Sequence, residues 1–242
     1  MYCTDLAYIH AVGFGNFANS VAPEIAQILL NAGIKSGRVV EFGCGSGTVA
    51  RYLQDRGYEV SAFDVSPAMI RLARTNAPRV DFSVSSLSSA RLPSCDALVG
   101  VGEVVTYVPG GLAVLRRFFA KAHAALRPGG ILLFDFMESA RRRTYDTKTL
   151  RGSGWSISVR ATFDGRRRVL TRSMTMTRRT SRGQRRSRES HRIHIYDRRA
   201  IRRLLEQSGF VVSMSRSYER HRLLPGDVAV IARKPGRYNR VP

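Results

Sequence analysis

Three glycines at alternate positions, Gly43, Gly45 and Gly47, lie in the run Val39–Ala50, VVEFGCGSGTVA. Glycine there lets the backbone turn tightly and approach a ligand with no Cβ in the way. Glu41 stands just ahead of the first glycine, and Asp64 ends the next apolar segment. A carboxylate in the second position can accept both hydroxyls of a ribose. A dinucleotide site spaces its glycines G-x-G-x-x-G and rests a pyrophosphate on the following helix. Here the spacing is G-x-G-x-G, and Glu41 would repel a pyrophosphate while welcoming an ammonium group, directly or through water. A ligand with a ribose, an ammonium and no phosphate is S-adenosylmethionine, and that is the cofactor expected.

A second group of reactive side chains follows Val101-Gly102, where Glu103 and Tyr107 come within one short segment. Glu103 can orient an amine or take its proton, and Tyr107 can touch a substrate. The other base candidates are His10, His191, His194 and His221. On a strand His191 and His194 face opposite sides, and no third ligand has useful spacing, so no metal is expected. Cys3, Cys44 and Cys95 form no C-x-x-C pair, which argues against a disulfide framework or a cysteine zinc site and for a reducing, cytoplasmic setting.

The elements that must position these groups can be read from periodicity. A helix is expected over residues 21–32, with Pro23 in its first turn. Arg38–Phe42 reads as a buried strand entering the glycine loop, with a helix from there to about Arg56. Glu59–Phe63 is a second strand. Ser66-Pro67 is a helix start, an N-cap followed by N1. Val80–Val84 and Ala97–Val101 are further strands. Helix 111–126 is expected to bury Leu112, Leu115, Phe119, Ala122 and Leu126, and Ile131–Phe136 is a fifth strand. Strands alternating with helices imply a parallel sheet covered on both faces. After Met137 the pattern becomes antiparallel: strands over 155–163 and 168–177 joined at Asp164-Gly165, a polar tract over 180–188, and a short strand near His191–Tyr196. A helix after Asp197 and strands near 210–215 and 227–232 close the chain. The division expected is an N-terminal lid and helix (1–35), an α/β core (36–137), an antiparallel β insertion (138–196) and a return to the core sheet (197–242).

The segments E-x-G-C-G-S-G, FDVSPAMI (Phe63–Ile70) and LRPGGILLFD (Leu126–Asp135) resemble the class I S-adenosylmethionine-dependent methyltransferases. The resemblance covers residues 36–136 and extends loosely to small-molecule members of that family. It implies a doubly wound, mostly parallel seven-stranded sheet with the last strand antiparallel. It also implies that Glu41 and the loop Gly43, Cys44, Gly45, Ser46 and Gly47 hold the methionine part of the cofactor. Asp64 would hold the ribose, and Val65 and Met69 would flank the adenine. Ser86 stands where the family has an Asp beside the adenine amino group, and the Leu87 backbone would share that work. Gly102 completes the cofactor set, leaving Glu103, His10, Tyr8 and Tyr107 as catalytic candidates.

The chain has 242 residues with 40 Lys+Arg against 18 Asp+Glu, a net charge of +22. Residues 1–137 carry 12 basic and 10 acidic side chains, so 28 and 8 fall in the remainder. The apolar content excludes wholesale disorder, and no apolar run is long enough to span a bilayer. The leading expectation is methylation of a small molecule at N or O. One alternative is an RNA or other anionic macromolecule held by the Arg-rich half. An alternative of another class is a cofactor-binding protein without catalysis. Residues 5–19 carry Tyr8, Ile9, Phe14 and Phe17 without a sustained period, and are expected to form a lid whose polar contacts are Tyr8 and His10.

Overall fold

The computed structural model describes residues 2–140, 144–181 and 183–236; Met1, 141–143, 182 and 237–242 lie outside it. Helices α1 (Thr4–Gly13) and α2 (Asn16–Asn31) come first. The core then alternates β1 (Arg38–Phe42), α3 (Thr48–Gln54), β2 (Glu59–Asp64), α4 (Pro67–Asn76), β3 (Asp81–Val84), β4 (Cys95–Gly100), a 3-10 turn (Val104–Tyr107), α5 (Gly111–Ala125) and β5 (Leu126–Met137). The inserted strands are β6 (Tyr145–Gly152), β7 (Trp155–Asp164), β8 (Val169–Thr180) and β9 (Gly183–His194). The chain returns through α6 (Arg198–Gln207), β10 (Val211–Ser215), the two-residue strands β11 (Ser217–Tyr218) and β12 (His221–Arg222), and β13 (Asp227–Arg233).

The seven core strands lie in the order β10-β13-β5-β4-β1-β2-β3. β1 pairs in parallel with β2 and β4, while β13 runs antiparallel to both β5 and β10. The expected doubly wound sheet with its antiparallel last strand is therefore present. Strand order reverses between β1 and β4, so the ends of these two strands open the crevice in which such sheets bind ligands. Alternate residues divide the core: Val39, Val99 and Leu133 face α2 and α3, whereas Val40, Leu98 and Phe134 face α5 and α6.

Several local expectations are corrected. Helix α2 starts at Asn16, which leaves Pro23 inside the helix, where its missing N–H forgoes one internal bond. In α5 Leu112 is exposed, and Phe118 takes a place in the core instead. The 5–19 segment is helical rather than irregular. It lacks an amphipathic period because both sides of α1 are covered: Leu6 and Ile9 pack on Ile157, Met174 and Met176 of the insertion, and Ala7 packs on Ala68 and Met69 of α4. The insertion has four strands rather than three, in the order β6-β7-β8-β9. Residues 183–188 of the polar tract belong to β9, which pairs with β8 from Gly183 to His194.

The polar inner face of β9 is what seats α1. Arg185, Ser187, Glu189 and His191 alternate along one side. Arg185 Nε donates to the two Asp5 oxygens at 3.0 and 2.9 Å, and Ser187 Oγ donates to Asp5 Oδ2 at 2.9 Å. Glu189 Oε2 accepts from the Cys3 backbone N–H at 2.9 Å, and the His191 ring meets the Tyr2 ring at 5.1 Å. Burial by itself would raise the Asp5 carboxyl, but Arg185 and Ser187 more than offset it, and its pKa lies below the ordinary value. A carboxyl depressed in this way adds stability above its unfolded pKa and loses it only as pH falls through the folded one. Asp5→Ala is expected to cost about 1.5–3 kcal/mol, as for a lost hydrogen bond to a charged group. Thermal melts at neutral pH measure the cost. Amide exchange should rise over α1 while β1 and β4 keep their protection.

Candidate functional site

The strand ends at the crevice carry the carboxylates. Glu41 of β1 is buried, and its Oε2 has no hydrogen-bond partner among the described residues. Burial, with a smaller contribution from Asp64, pushes its pKa up to about 8. Asp64 ends β2; its Oδ2 accepts from the Gly45 N–H at 3.0 Å and its Oδ1 from the Ser66 N–H at 2.8 Å. Burial raises the Asp64 pKa, and these N–H groups temper the rise.

The loop glycines differ in purpose. A Cβ on Gly43 would meet Val104 Cγ1 at 2.4 Å, so this glycine lets the loop press against the turn after β4. Gly45, at φ +53°, would meet nothing within 4 Å, and it forms the open side of the cradle. Cys44 is buried in the core, where burial raises its thiol pKa, and Ser46 Oγ lies 3.4 Å from Thr48 Oγ1. Val65 is exposed beside Asp64, whereas Met69 is buried beneath α1. The Ser86 hydroxyl lies 2.8 Å from Ser89 Oγ within its own turn, and Leu87 is buried. The cradle has an open backbone side, a buried orphan carboxylate oxygen and a carboxylate at the ribose position. This donor and acceptor set fits the expected cofactor.

Across the crevice, Gly102 and Glu103 turn through positive φ. Asp135 of β5 holds that turn: its Oδ1 accepts from the Gly102 N–H at 2.8 Å and from Tyr218 Oη at 2.9 Å, and its Oδ2 from the Glu103 N–H at 2.9 Å. Burial, with Glu103 nearby, raises the Asp135 pKa to about 7. The Glu103 carboxylate faces Arg172 of β8, with Oε2 at 3.9 Å from Nη2, and Arg172 Nη1 donates to Tyr107 Oη at 3.0 Å. Tyr107 meets the His191 ring edge-on at 5.8 Å, and His191 Nε2 lies 2.6 Å from Glu189 Oε1. Tyr2 completes the group. Its ring packs edge-on against His10 at 5.4 Å, and burial raises the pKa of its hydroxyl well above the ordinary value. Burial lowers the His10 pKa, and its Nδ1 has no partner among the described residues.

Arg172 thus links Glu103 to Tyr107, and ring contacts through His191 and Tyr2 connect Tyr107 to His10. Tyr8 is placed elsewhere, its ring covered by the Arg178 guanidinium at 3.6 Å. Sequence reasoning missed the roles of Tyr2, Arg172 and Asp135, and Glu189 as the partner of the base candidate His191. Two of these carried a signal. Arg172 interrupts the apolar face Leu170, Met174, Met176, and Asp135 interrupts the apolar run Ile131–Met137.

A family model described as "Methyltransferase domain" matches residues 17–213. The ubiquinone biosynthesis O-methyltransferase of Xanthomonas campestris pv. campestris (strain B100) is 30% identical over 104 residues, which cover 40% of this chain and 42% of that protein. The chain therefore spans less than half the length of that curated relative. Among solved structures, an S-adenosylmethionine-dependent methyltransferase from Clostridium acetobutylicum ATCC 824 superimposes with a TM-score of 0.80 at 13% identity, covering 90% of this chain and 92% of that one. An S-adenosylmethionine-bound amino pentose methyltransferase from Micromonospora echinaspora gives a TM-score of 0.75 at 21% identity, covering 97% and 98%. These likenesses establish a shared fold.

Two measurements test the cradle. Asp64→Ala should weaken S-adenosylmethionine binding by about 1.5–3 kcal/mol, read by calorimetric titration of the folded variant; unchanged affinity would remove Asp64 from the site. The second concerns pH. A carboxyl raised from the ordinary 4.5 to about 8 favours the fold while protonated and loses that contribution as pH rises through 8. The ligand-free protein should therefore melt progressively lower between about pH 5 and pH 9, and Glu41→Gln should flatten that dependence.

Proposed function

The chain belongs to the methyltransferase-domain family, and from that premise we propose that it transfers a methyl group from S-adenosylmethionine to N or O of a small molecule. The observation that carries this reading is the buried Glu41 carboxylate, with one oxygen unpartnered, beside Asp64 and the open face of Gly45. Such a site asks for a cationic ligand with hydroxyls. Among the described residues no basic side chain is hydrogen-bonded to Glu41 or Asp64. The acceptor is read as small because α1 and the insertion enclose the polar group opposite Asp64, through Tyr2 and His10 on one side and Arg172 and His191 on the other.

When bound, the cofactor supplies a methyl carbon on a sulfonium, already a good leaving group. The chain's task is then alignment, worth up to about 7–11 kcal/mol in well-oriented reactions. Glu41 accepts the ammonium of the ligand, Asp64 its ribose hydroxyls, and Val65 one side of its flat ring. Glu103 and Tyr107, held by Arg172, orient the acceptor. His10 takes the acceptor's proton: burial keeps its imidazole neutral, and Nδ1 retains a lone pair. Tyr8 contributes indirectly by seating α1 under Arg178. Residues 5–19 act as a cover that excludes water from the transfer.

The test is a metabolite extract incubated with isotopically methyl-labelled S-adenosylmethionine, beside total RNA. Label should enter a low-molecular-weight product, and incorporation into RNA alone would overturn the small-molecule reading. With that product in hand, His10→Phe should lower kcat by about 10²–10⁴-fold, the usual contribution of a general base. Hydrogen exchange with and without S-adenosylhomocysteine tests the cover. Protection over residues 5–19 should rise with ligand, and equal protection in both states would make the segment a static clasp.

A further inference from the structure

The arginines of the inserted sheet divide by face. On the inner face Arg172, Arg178 and Arg185 are each set against a carboxylate, Glu103 for the first and Asp5 for the other two. The outer face differs. Ser158, Thr175 and Arg188 line up across β7, β8 and β9, as do Ser156, Thr177 and Arg186, with Arg151 continuing the second row on β6. Arg186, Arg188 and Arg192 are exposed on β9, and none is paired with a carboxylate among the described residues. Apart from the end row Asp164, Val169 and His194, the described positions of this face on β7, β8 and β9 are Arg, Ser, Thr and Gln. In the row Arg151, Ser156, Thr177 and Arg186, hydroxyls separate two arginines about 14 Å apart across three strand spacings, and Arg160 and Arg179 add exposed charge on β7 and β8.

We propose that this outer face binds the sugar–phosphate backbone of a double-stranded nucleic acid. Arg, Ser, Thr and Gln are side chains that contact phosphate and sugar without reading sequence. Arg186 and Arg188 are separated by about 6.8 Å along β9, close to the step between successive phosphates of one strand. A single strand would call for a run of aromatic platforms under its bases, and the described outer positions of β7, β8 and β9 carry one ring, His194, in the end row and stacked on Tyr196. An acidic protein partner would call for an apolar or aromatic anchor at the centre of the contact, and a bilayer for an exposed apolar side chain to bury; among the described outer positions Val169 is buried, and it and His194 lie in the end row, away from the centre. The proposal does not depend on the methyltransferase reading, because the face points away from α1 and the crevice.

Fluorescence anisotropy with labelled duplexes of about 20 bp, one RNA and one DNA, between about 50 and 200 mM KCl tests it. Binding is expected for at least one duplex, with log K falling linearly against log salt at a slope of about −3 or steeper. The combined variant Arg186→Ser, Arg188→Ser, Arg192→Ser should flatten that slope by about 2–3. It should also leave S-adenosylhomocysteine affinity and the melting temperature unchanged. Thr175→Glu, which puts one negative charge in the central row beside Arg188, should abolish duplex binding by itself. Three results would overturn the proposal: no duplex binding at the lowest salt, an unaltered slope in the triple variant, or equal competition by polyglutamate or by phosphatidylserine vesicles. A duplex that binds as tightly to Thr175→Glu would place the contact on another surface.

Discussion

A buried carboxylate with an oxygen left unpartnered is unstable as an anion until a cation arrives. Glu41 imposes that condition on the crevice. The free protein meets it by favouring the protonated acid, which is why burial raises the pKa to about 8. A cationic ligand meets it by offering its own charge, and the difference between the two states is binding energy. The same low dielectric that makes the empty site costly strengthens the filled one. Asp135 sits under the same pressure on β5, yet three donors address its oxygens, so it shapes the turn at Gly102 and Glu103 instead of waiting for a ligand.

Asp5 shows the opposite solution to the same problem. It is as buried as Glu41, but Arg185 and Ser187 reach it from β9 and its pKa falls. A compensated carboxylate of this kind joins parts of the chain. Asp5 joins α1 to a sheet inserted far along the sequence. Tyr2, Cys3 and His10 lie on or beside the helix that Asp5 anchors. The Glu189–His191 pair continues the same β9 face from the clasp into the polar group around Tyr107.

What could be read from the sequence follows from how local each signal is. The glycine loop, Glu41 and Asp64 lie within two strand–loop–helix units, where neighbours in the chain are neighbours in space, so spacing carries their geometry. Glu103 and Tyr107 were legible for the same reason, at the end of a strand beside the point where strand order reverses. Tyr2 and Arg172 meet only because the insertion folds over α1, and no local period encodes that meeting. The 180–188 tract was illegible as a strand because period-two reasoning looks for apolar residues. Here the inward side chains are Arg185, Ser187 and Glu189, which bind a helix through charge. Helix α1 failed for the complementary reason: with both sides covered, it has no polar stripe to mark its turns.

The charge imbalance of the chain has two structural meanings, and they separate along single strands. On β9, odd-numbered positions face α1 and even-numbered positions face solvent, so Arg185 and Arg186 are neighbours in sequence with opposite fates. Arg185 is held by an acid and serves the fold. Arg186 meets no acid among the described residues and adds only repulsion to its neighbours Arg188 and Arg192. A bias toward arginine in composition would raise the count on both faces, but it would not match every inner arginine to a carboxylate and leave the outer rows without one. For Arg172 and Arg178 the matching follows from burial, which makes an unpaired guanidinium costly, whereas the exposed Arg185 is drawn in by the buried Asp5 carboxylate. The outer face is under no such constraint. Its like charges are tolerated because water screens them over about 8–10 Å, and that same screening is what an approaching polyanion would replace.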